Sequence, residues 1–461
     1  MSKEATIKEN KMGTMPVGKL LFQIAFPIIV SMLIQAAYNI IDSMYVSRIN
    51  EEALTAVSLV FPMQMMLIAV GIGTNVGINA LLSRALGAKQ YDRVRTIAQH
   101  AVFLIAVSYV VMALLLFFAA PPFIGLQTDD PLIYSYGVTY MRIVGIFSLG
   151  LLTEVCMEKL LTATGKTVFT MLIQASGAIL NIILDPILIF GLGPFPEMGV
   201  AGAATATVIG QSIAAIIGII FNLMVNPEIR LTMRGFRPIK AIIGEIYRIA
   251  VPSIVLQSIG SILIFAMNLI LMQFLYNPTA AAVFGVYFKL NSVFFMPIFG
   301  LNNGVVPIVA YNYGARHRKR ILDTTRVATI AAVVVLGFGT AAFWLIPDTL
   351  LGLFNASEHM LTIGVPALRI ISISFVMAGY NIIRLSTMQA LGSAFYSMII
   401  SLARQLFILL PSALILAAIF RAQGGLPAIW YSFVIAEVSA MALTWFLFTR
   451  VRRKKIDPLP E

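Results

Sequence analysis

Charge is scarce in this chain. Asp, Glu, Lys and Arg make up 11% of its 461 residues, where a soluble domain carries about a quarter. That shortage excludes an ordinary water-exposed globule and a disordered tail alike. Cysteine occurs once, at Cys156, so no internal disulfide is available. Histidine occurs three times, at the scattered positions His100, His317 and His359. With no HExxH and no evident nucleophile–base pair, an intramembrane enzyme has little to work with, and no cofactor is expected.

What the chain has in plenty is apolar surface. Hydrophobic residues make up 59% of it and the mean hydropathy is +0.91. Long apolar runs recur from about residue 20 to residue 449. Each is about 20 to 30 residues, enough to cross a hydrocarbon core of roughly 30 Å as a helix. The fold class predicted is all-α integral membrane, with about twelve transmembrane helices. The first run, from Leu20, is too long for a cleavable signal peptide and is followed by further spans.

A net charge of +12 invites a nucleic-acid reading, but its placement argues against one. Lys3, Lys8, Lys11 and Lys19 precede the first span. Arg84, Lys89, Arg93 and Arg95 follow the second, and Arg230, Arg234, Arg237 and Lys240 lie in the central loop. Arg316 to Arg320 follow the eighth span and Arg450 to Lys455 follow the last. The intervening loops "PPFIGLQTDDP", "GLGPFPEM" and "NPTA" contain no Lys or Arg. This alternation is the positive-inside pattern of a multi-pass protein with both termini in the cytoplasm. No nucleic-acid partner is expected; the partners are the bilayer and small molecules, and the protein is expected to act as a monomer.

The chain also repeats. "IAFPIIV" at Ile24 matches "IAVPSIV" at Ile249, and the Gly87 turn matches that at Gly314. Arg142 pairs with Arg369, Gly165 with Gly392, and the Gly199 segment with the Gly425 segment, at offsets of 225 to 227 residues. An even number of spans per repeat gives both halves one orientation. The prediction is two parallel-repeat six-helix lobes around a central cavity. They are an N-lobe over residues 1–225, a cytoplasmic linker over 226–244, and a C-lobe over 245–461 with a basic tail.

Ionisable groups inside spans are costly and usually line a cavity or an ion path. Asp42, Glu154, Glu158, Asp185 and Glu437 fall in predicted spans. The repeat partners of Asp42, Glu158 and Asp185 are apolar or small and neutral, which suggests chemistry confined to one lobe. Helical spacing puts Gln35, Tyr38, Asn39 and Asp42 on one face of the first span, and Gln174, Asn181 and Asp185 on one face of the fifth. Pro186 lacks an N–H, so it should bend the fifth span beside Asp185; Pro27 is a second candidate hinge. At about 1.5 Å per residue, Asp42, Asn181, Asp185 and Thr207 share one depth in the outer half. Two carboxylates, a carboxamide and a hydroxyl there form a hard-oxygen pocket for H⁺ or Na⁺. Glu154 and Glu158 sit deeper toward the cytoplasm, where a carboxylate would attract an organic cation, and Gln174 is grouped with them as substrate-facing. Simpler roles compete. Gln174 and Gln211 could merely tie helices together. Arg142 could neutralise Asp185, and Lys159 could pair with Glu154 or Glu158. Arg404 and Glu437 are expected to form a structural salt bridge. Lys289 and Arg384 have no assigned role.

Taken together, "QAAYNIID", "LNIILDPILIFG", "GVAGAATAT" and "GVVPIVAYNYGAR" resemble the multidrug and toxic compound extrusion (MATE) transporters. Within that family they resemble the DinF branch and its MepA-type bacterial pumps. The resemblance covers about Lys19 to Arg450. It implies a twelve-helix antiporter of the bacterial inner membrane that expels drugs against inward H⁺ or Na⁺. It also implies cation coupling at Asp42, Asn181, Asp185, Thr207, Gln35 and Tyr38. Glu158 departs from many DinF-type members, which have Asn there. A lipid-linked precursor flippase of related architecture is the alternative reading.

Overall fold

A computed structural model describes residues 10–229, 231–354, 357–420 and 426–460. Lys3, Lys8, Arg230 and Gly425, used above for charge and repeat patterns, lie outside the described residues. Those residues form helices and loops with no strand. The first half holds α1 (Lys11–Thr14), α2 (Val17–Ser47), α3 (Glu51–Gly87), α4 (Tyr91–Gly125), α5 (Pro131–Ile146), α6 (Leu149–Ala163), α7 (Thr167–Phe190) and α8 (Val200–Val225). The second half holds α9 (Lys240–Leu269), α10 (Pro278–Gly314), α11 (Arg318–Leu345), α12 (Pro347–Gly352), α13 (Glu358–Ala390), α14 (Ala394–Leu402), α15 (Leu410–Phe420) and α16 (Leu426–Val451). Wider π-helical turns occupy Ile270–Phe274, Ala403–Leu409 and Arg452–Ile456.

Eleven helices among the described residues are long and apolar enough to cross a membrane. The predicted fourth span is instead divided. α5 and α6 have 16 and 15 residues and meet at Phe147–Ser148. There the ladder tightens: Ser148 N–H donates to the Gly145 carbonyl at 3.3 Å and Gly150 N–H to that of Phe147 at 3.4 Å. Residues Gly145, Gly150 and Ser148 are poor helix formers, and Gly150 is also pressed on α8. A Cβ there would lie 2.7 Å from Ser212 Oγ.

Helix starts follow from side chains that replace missing backbone partners. Asn50 accepts from Ala53 N–H at 2.7 Å, and Asp130, followed by Pro131, accepts from Leu132 N–H at 2.8 Å. Asn277, followed by Pro278, accepts from Ala280 N–H at 2.8 Å. The internal repeat extends to backbone conformation. Lys89 and Arg316 both adopt positive φ, 56° and 62°, as do Gly165 and Gly392, 79° and 69°. Each pair is separated by the same 227 residues.

The described chain forms two compact units. One holds residues 10–15 and Phe26–Ile254; the other holds Pro16–Ala25 and 255–460. The changeovers lie beside Pro27 in α2 and Pro252 in α9, the prolines of the repeated "IAFPIIV" and "IAVPSIV". Within the first unit the segment after α8 is fastened to α4. Gln99 Nε2 donates to the Thr232 carbonyl at 2.7 Å, and Ile239 N–H donates to His100 Nε2 at 2.8 Å. The Phe236 ring meets the His100 ring edge-on at 5.1 Å.

Candidate functional site

Small residues bring α7 and α8 together. A Cβ at Gly210 would lie 2.8 Å from the Gly177 carbonyl oxygen, so only glycine permits this approach. One turn along, Asn181 of α7 reaches Thr207 of α8. In the amide orientation that satisfies both ends, the Asn181 oxygen accepts from Thr207 Oγ at 3.2 Å and from Thr207 N–H at 2.9 Å. Its nitrogen then donates to Asp185 Oδ2 at 2.9 Å. The reversed amide would set its nitrogen against the Thr207 N–H, another donor, and its oxygen against Asp185.

Asp185 is fully buried and Asp42 nearly so, at 0% and 9% exposure. Their carboxyl groups lie close to each other across α2 and α7. Two ionised carboxylates there have no donor between them and would repel. Tyr38, one turn before Asp42, places its hydroxyl in hydrogen-bonding reach of Thr207. The pocket therefore joins Tyr38, Asp42, Asn181, Asp185 and Thr207 within the first unit. Pro186, inside α7, follows Asp185 directly. Pro27 lies inside α2, where Ser31 Oγ donates to its carbonyl at 3.0 Å.

Other residues flagged by spacing fall outside this cluster. Gln35 and Gln174 bond each other, Gln174 Nε2 donating to Gln35 Oε1 at 3.1 Å. That is the helix-tying arrangement. Asn39 is exposed, and its backbone carbonyl accepts from Ser43 Oγ at 2.8 Å. One residue further round a helix is a rotation of about 100°, enough to turn Asn39 off the Tyr38 face. Glu154 and Glu158 lie one turn apart on α6, both about nine-tenths buried at 8% and 9% exposure. Glu154 Oε1 is 3.7 Å from where a Gly177 Cβ would sit and lies close enough to Tyr38 for their charges to interact. Glu158 interacts electrostatically with its neighbour Lys159. Arg142 rests on the Phe117 ring, 4.7 Å from its centroid, which gives its charge an aromatic partner.

Two residues of this site escaped the sequence reading. Tyr140 of α5 is 2% exposed and lies among Asp42, Tyr38 and Asp185, with its hydroxyl bonded to Gln64 of α3. Gln64 carried a usable signal, a lone carboxamide in the apolar run "FPMQMM". Tyr140 carried none, because tyrosine is common at membrane interfaces and inside spans.

The second unit treats its carboxylate differently. Glu437 on α16 accepts from Arg404 Nη1 at 2.7 Å and from Asn381 Nδ2 at 2.8 Å. This is the ion pair expected from the sequence. Arg404 projects from the π-helical turn at Ala403–Leu409. Lys289 lies 5.7 Å from the Phe354 ring centroid.

Comparison with known proteins gives one consistent picture. The MatE family profile matches residues 27–187 and 252–415. The chain is 25% identical over 437 residues to the multidrug export protein MepA of Staphylococcus haemolyticus, covering 95% of this chain and 94% of that one. To MepA of Staphylococcus aureus strain NCTC 8325 it is 26% identical over 444 residues, covering 95% of each. Among solved structures, an outward-facing multidrug resistance MATE family transporter of the MOP superfamily superposes with a TM-score of 0.89 at 24% identity. That match covers 98% of this chain and 100% of that one. A MOP superfamily transporter from Pyrococcus furiosus superposes with a TM-score of 0.88 at 24% identity over the same shares. These last two show the fold.

Proposed function

This chain belongs to the MatE family, and we propose that it is a secondary multidrug exporter. It moves organic, often cationic compounds outward in exchange for an inward cation, by alternating access, in a bacterial cytoplasmic membrane with both termini inside. The observation that carries this reading is the Asp42–Asp185 contact, buried in the first unit and bounded by Asn181, Thr207 and Tyr38. The names of the staphylococcal relatives support the export role.

The hydrogen bonding favours H⁺ over Na⁺ as the coupling ion. Na⁺ needs a shell of oxygens. Here the Asn181 oxygen is engaged by Thr207, and its nitrogen, a donor, faces Asp185. Na⁺ would require turning the amide and losing those bonds. A proton needs only the two carboxylates. Once both are ionised, their repulsion in a low-dielectric pocket works against the closed geometry. Pro186 and Pro27 supply the weak points at which α7 and α2 can bend in response. Exchange follows if the proton and the drug prefer opposite conformations. Glu154 and Glu158 form the substrate-facing set, supplying negative charge to a cationic drug, while Gln174 is tied to Gln35.

Efflux of ethidium from energised vesicles tests the reading. Wild-type protein should drive efflux, while Asp185→Asn at equal membrane abundance should reduce it to the level of empty vesicles. Wild-type efflux by that variant would remove the first unit's carboxylate pair from the mechanism.

A further inference from the structure

The second unit ends in a fixed basic corner. After α16 the chain does not trail away but closes in the π-helical turn Arg452–Ile456. Three contacts hold that turn. Ile456 is fully buried. Lys455 Nζ donates to the Leu391 carbonyl at 2.6 Å, satisfying the end of α13. Asp457 accepts from Arg318 Nη2 and Arg452 Nε, each at 3.2 Å.

Beside this turn sits Arg384. It lies six residues before the end of α13, or about 9 Å along its axis. Its guanidinium is stacked 4.9 Å from the Tyr380 ring centroid and 4.6 Å from that of Phe448. Its Nε is buried and has no hydrogen-bond partner, although the guanidinium also bonds the Tyr380 hydroxyl. Arg452 is close enough to repel it, while Arg453 and Lys454 are exposed alongside. Asp457 is the acid in this corner, and it is already shared between Arg318 and Arg452. Holding Arg452 near the Arg384 guanidinium is unfavourable unless an anion offsets the two charges. Next to the corner, α16 presents Trp445 and Phe446 outward at 64% and 59% exposure. That surface suits hydrocarbon chains, and an interfacial Trp marks headgroup depth.

We propose that this corner binds an anionic phospholipid, its phosphate held by Arg384 and Arg452 and its acyl chains lying along the Trp445–Phe446 face of α16. Arginine forks match phosphate oxygens, and basic pockets at helix ends select anionic headgroups. The tail is thus a preformed lipid clamp, with Arg453 and Lys454 at its rim.

Native mass spectrometry of the full-length protein in detergent tests this with phosphatidylglycerol, phosphatidylcholine and inorganic phosphate as probes. Phosphatidylglycerol should be retained in preference to phosphatidylcholine, and millimolar inorganic phosphate should not displace it. The exposed pair Arg453→Gln and Lys454→Gln should weaken retention about five-fold for each charge removed, as should Arg384→Gln. Arg95→Gln, exposed on the first unit, should change nothing. Equal retention of phosphatidylcholine, displacement by inorganic phosphate, or wild-type retention by the Arg453/Lys454 double variant would each overturn the proposal. If Arg384→Gln fails to fold, the surface double variant decides alone.

Discussion

Asp42 and Asp185 face each other in the first unit, while Glu437 in the second faces Arg404 at 2.7 Å and Asn381 at 2.8 Å. The two units follow one repeated pattern, down to matching positive-φ turns, yet they treat acids inside their spans in opposite ways. A carboxylate with a cation and an amide around it has its charge offset on the spot. Two carboxylates facing each other repel when both are ionised. Asn381 stands at the repeat position of Glu154, and Phe433 at that of Thr207. The second unit has matching helices without a facing pair of carboxylates at those positions. On the function proposed above, its charge serves packing, whereas the first unit's charge answers the coupling ion.

Several experiments can break or sharpen that contrast. The largest effect should come from the aspartates. Asp42→Asn, like Asp185→Asn, should abolish driven efflux in vesicles while the protein still reaches the membrane.

Next in size is the second unit's ion pair. Arg404→Met strands a buried carboxylate and should cost about 3 kcal/mol of stability, read as a fall in thermal melting in detergent. Adding Glu437→Leu should restore most of it, because no charge is then left unpaired. If Arg404→Met melted like wild type, or abolished efflux without loss of stability, the structural reading of that pair would fail.

A smaller loss is expected where the first pocket's supports are trimmed. Tyr140→Phe and Thr207→Ala each remove a hydrogen-bonding hydroxyl while leaving both carboxyls, a change of about 1 kcal/mol. Efflux rates should fall by about five-fold, with coupling intact. Loss as complete as in Asp185→Asn would promote either residue to the ion site itself.

The smallest effect belongs to Glu158→Gln. Removing its charge should weaken efflux of permanently cationic dyes and spare neutral compounds. Equal loss for both classes would move Glu158 from drug selection to coupling or structure.

Much of this site was legible in the sequence because charge inside an apolar run is expensive and therefore conspicuous. Asp42, Asn181, Asp185 and Thr207 stood out by type, spacing and depth, and the structure brings them together. What spacing could not supply was rotation and partner choice. Spacing groups Asn39 with Tyr38 although it points outward, and Gln35 and Gln174 satisfy each other. Tyr140 was invisible because an aromatic in a span is ordinary until its neighbours are known. The division of the fourth span between α5 and α6 was also missed. Its length and hydropathy suit one helix, and the break falls where Gly150 is pressed on Ser212. Arg384 looked unexplained because its partners, two rings and a folded tail, come from distant parts of the chain.

The account stands on one claim, that Asp42 and Asp185 hold a proton which the drug displaces. Proton release can be measured directly by adding ethidium to purified protein in weakly buffered detergent solution. The account predicts release on binding by the wild type, none from Asp42→Asn or Asp185→Asn, and no dependence on Na⁺. Absence of release from the wild type, undiminished release from both variants, or displacement of Na⁺ in place of H⁺ would contradict it.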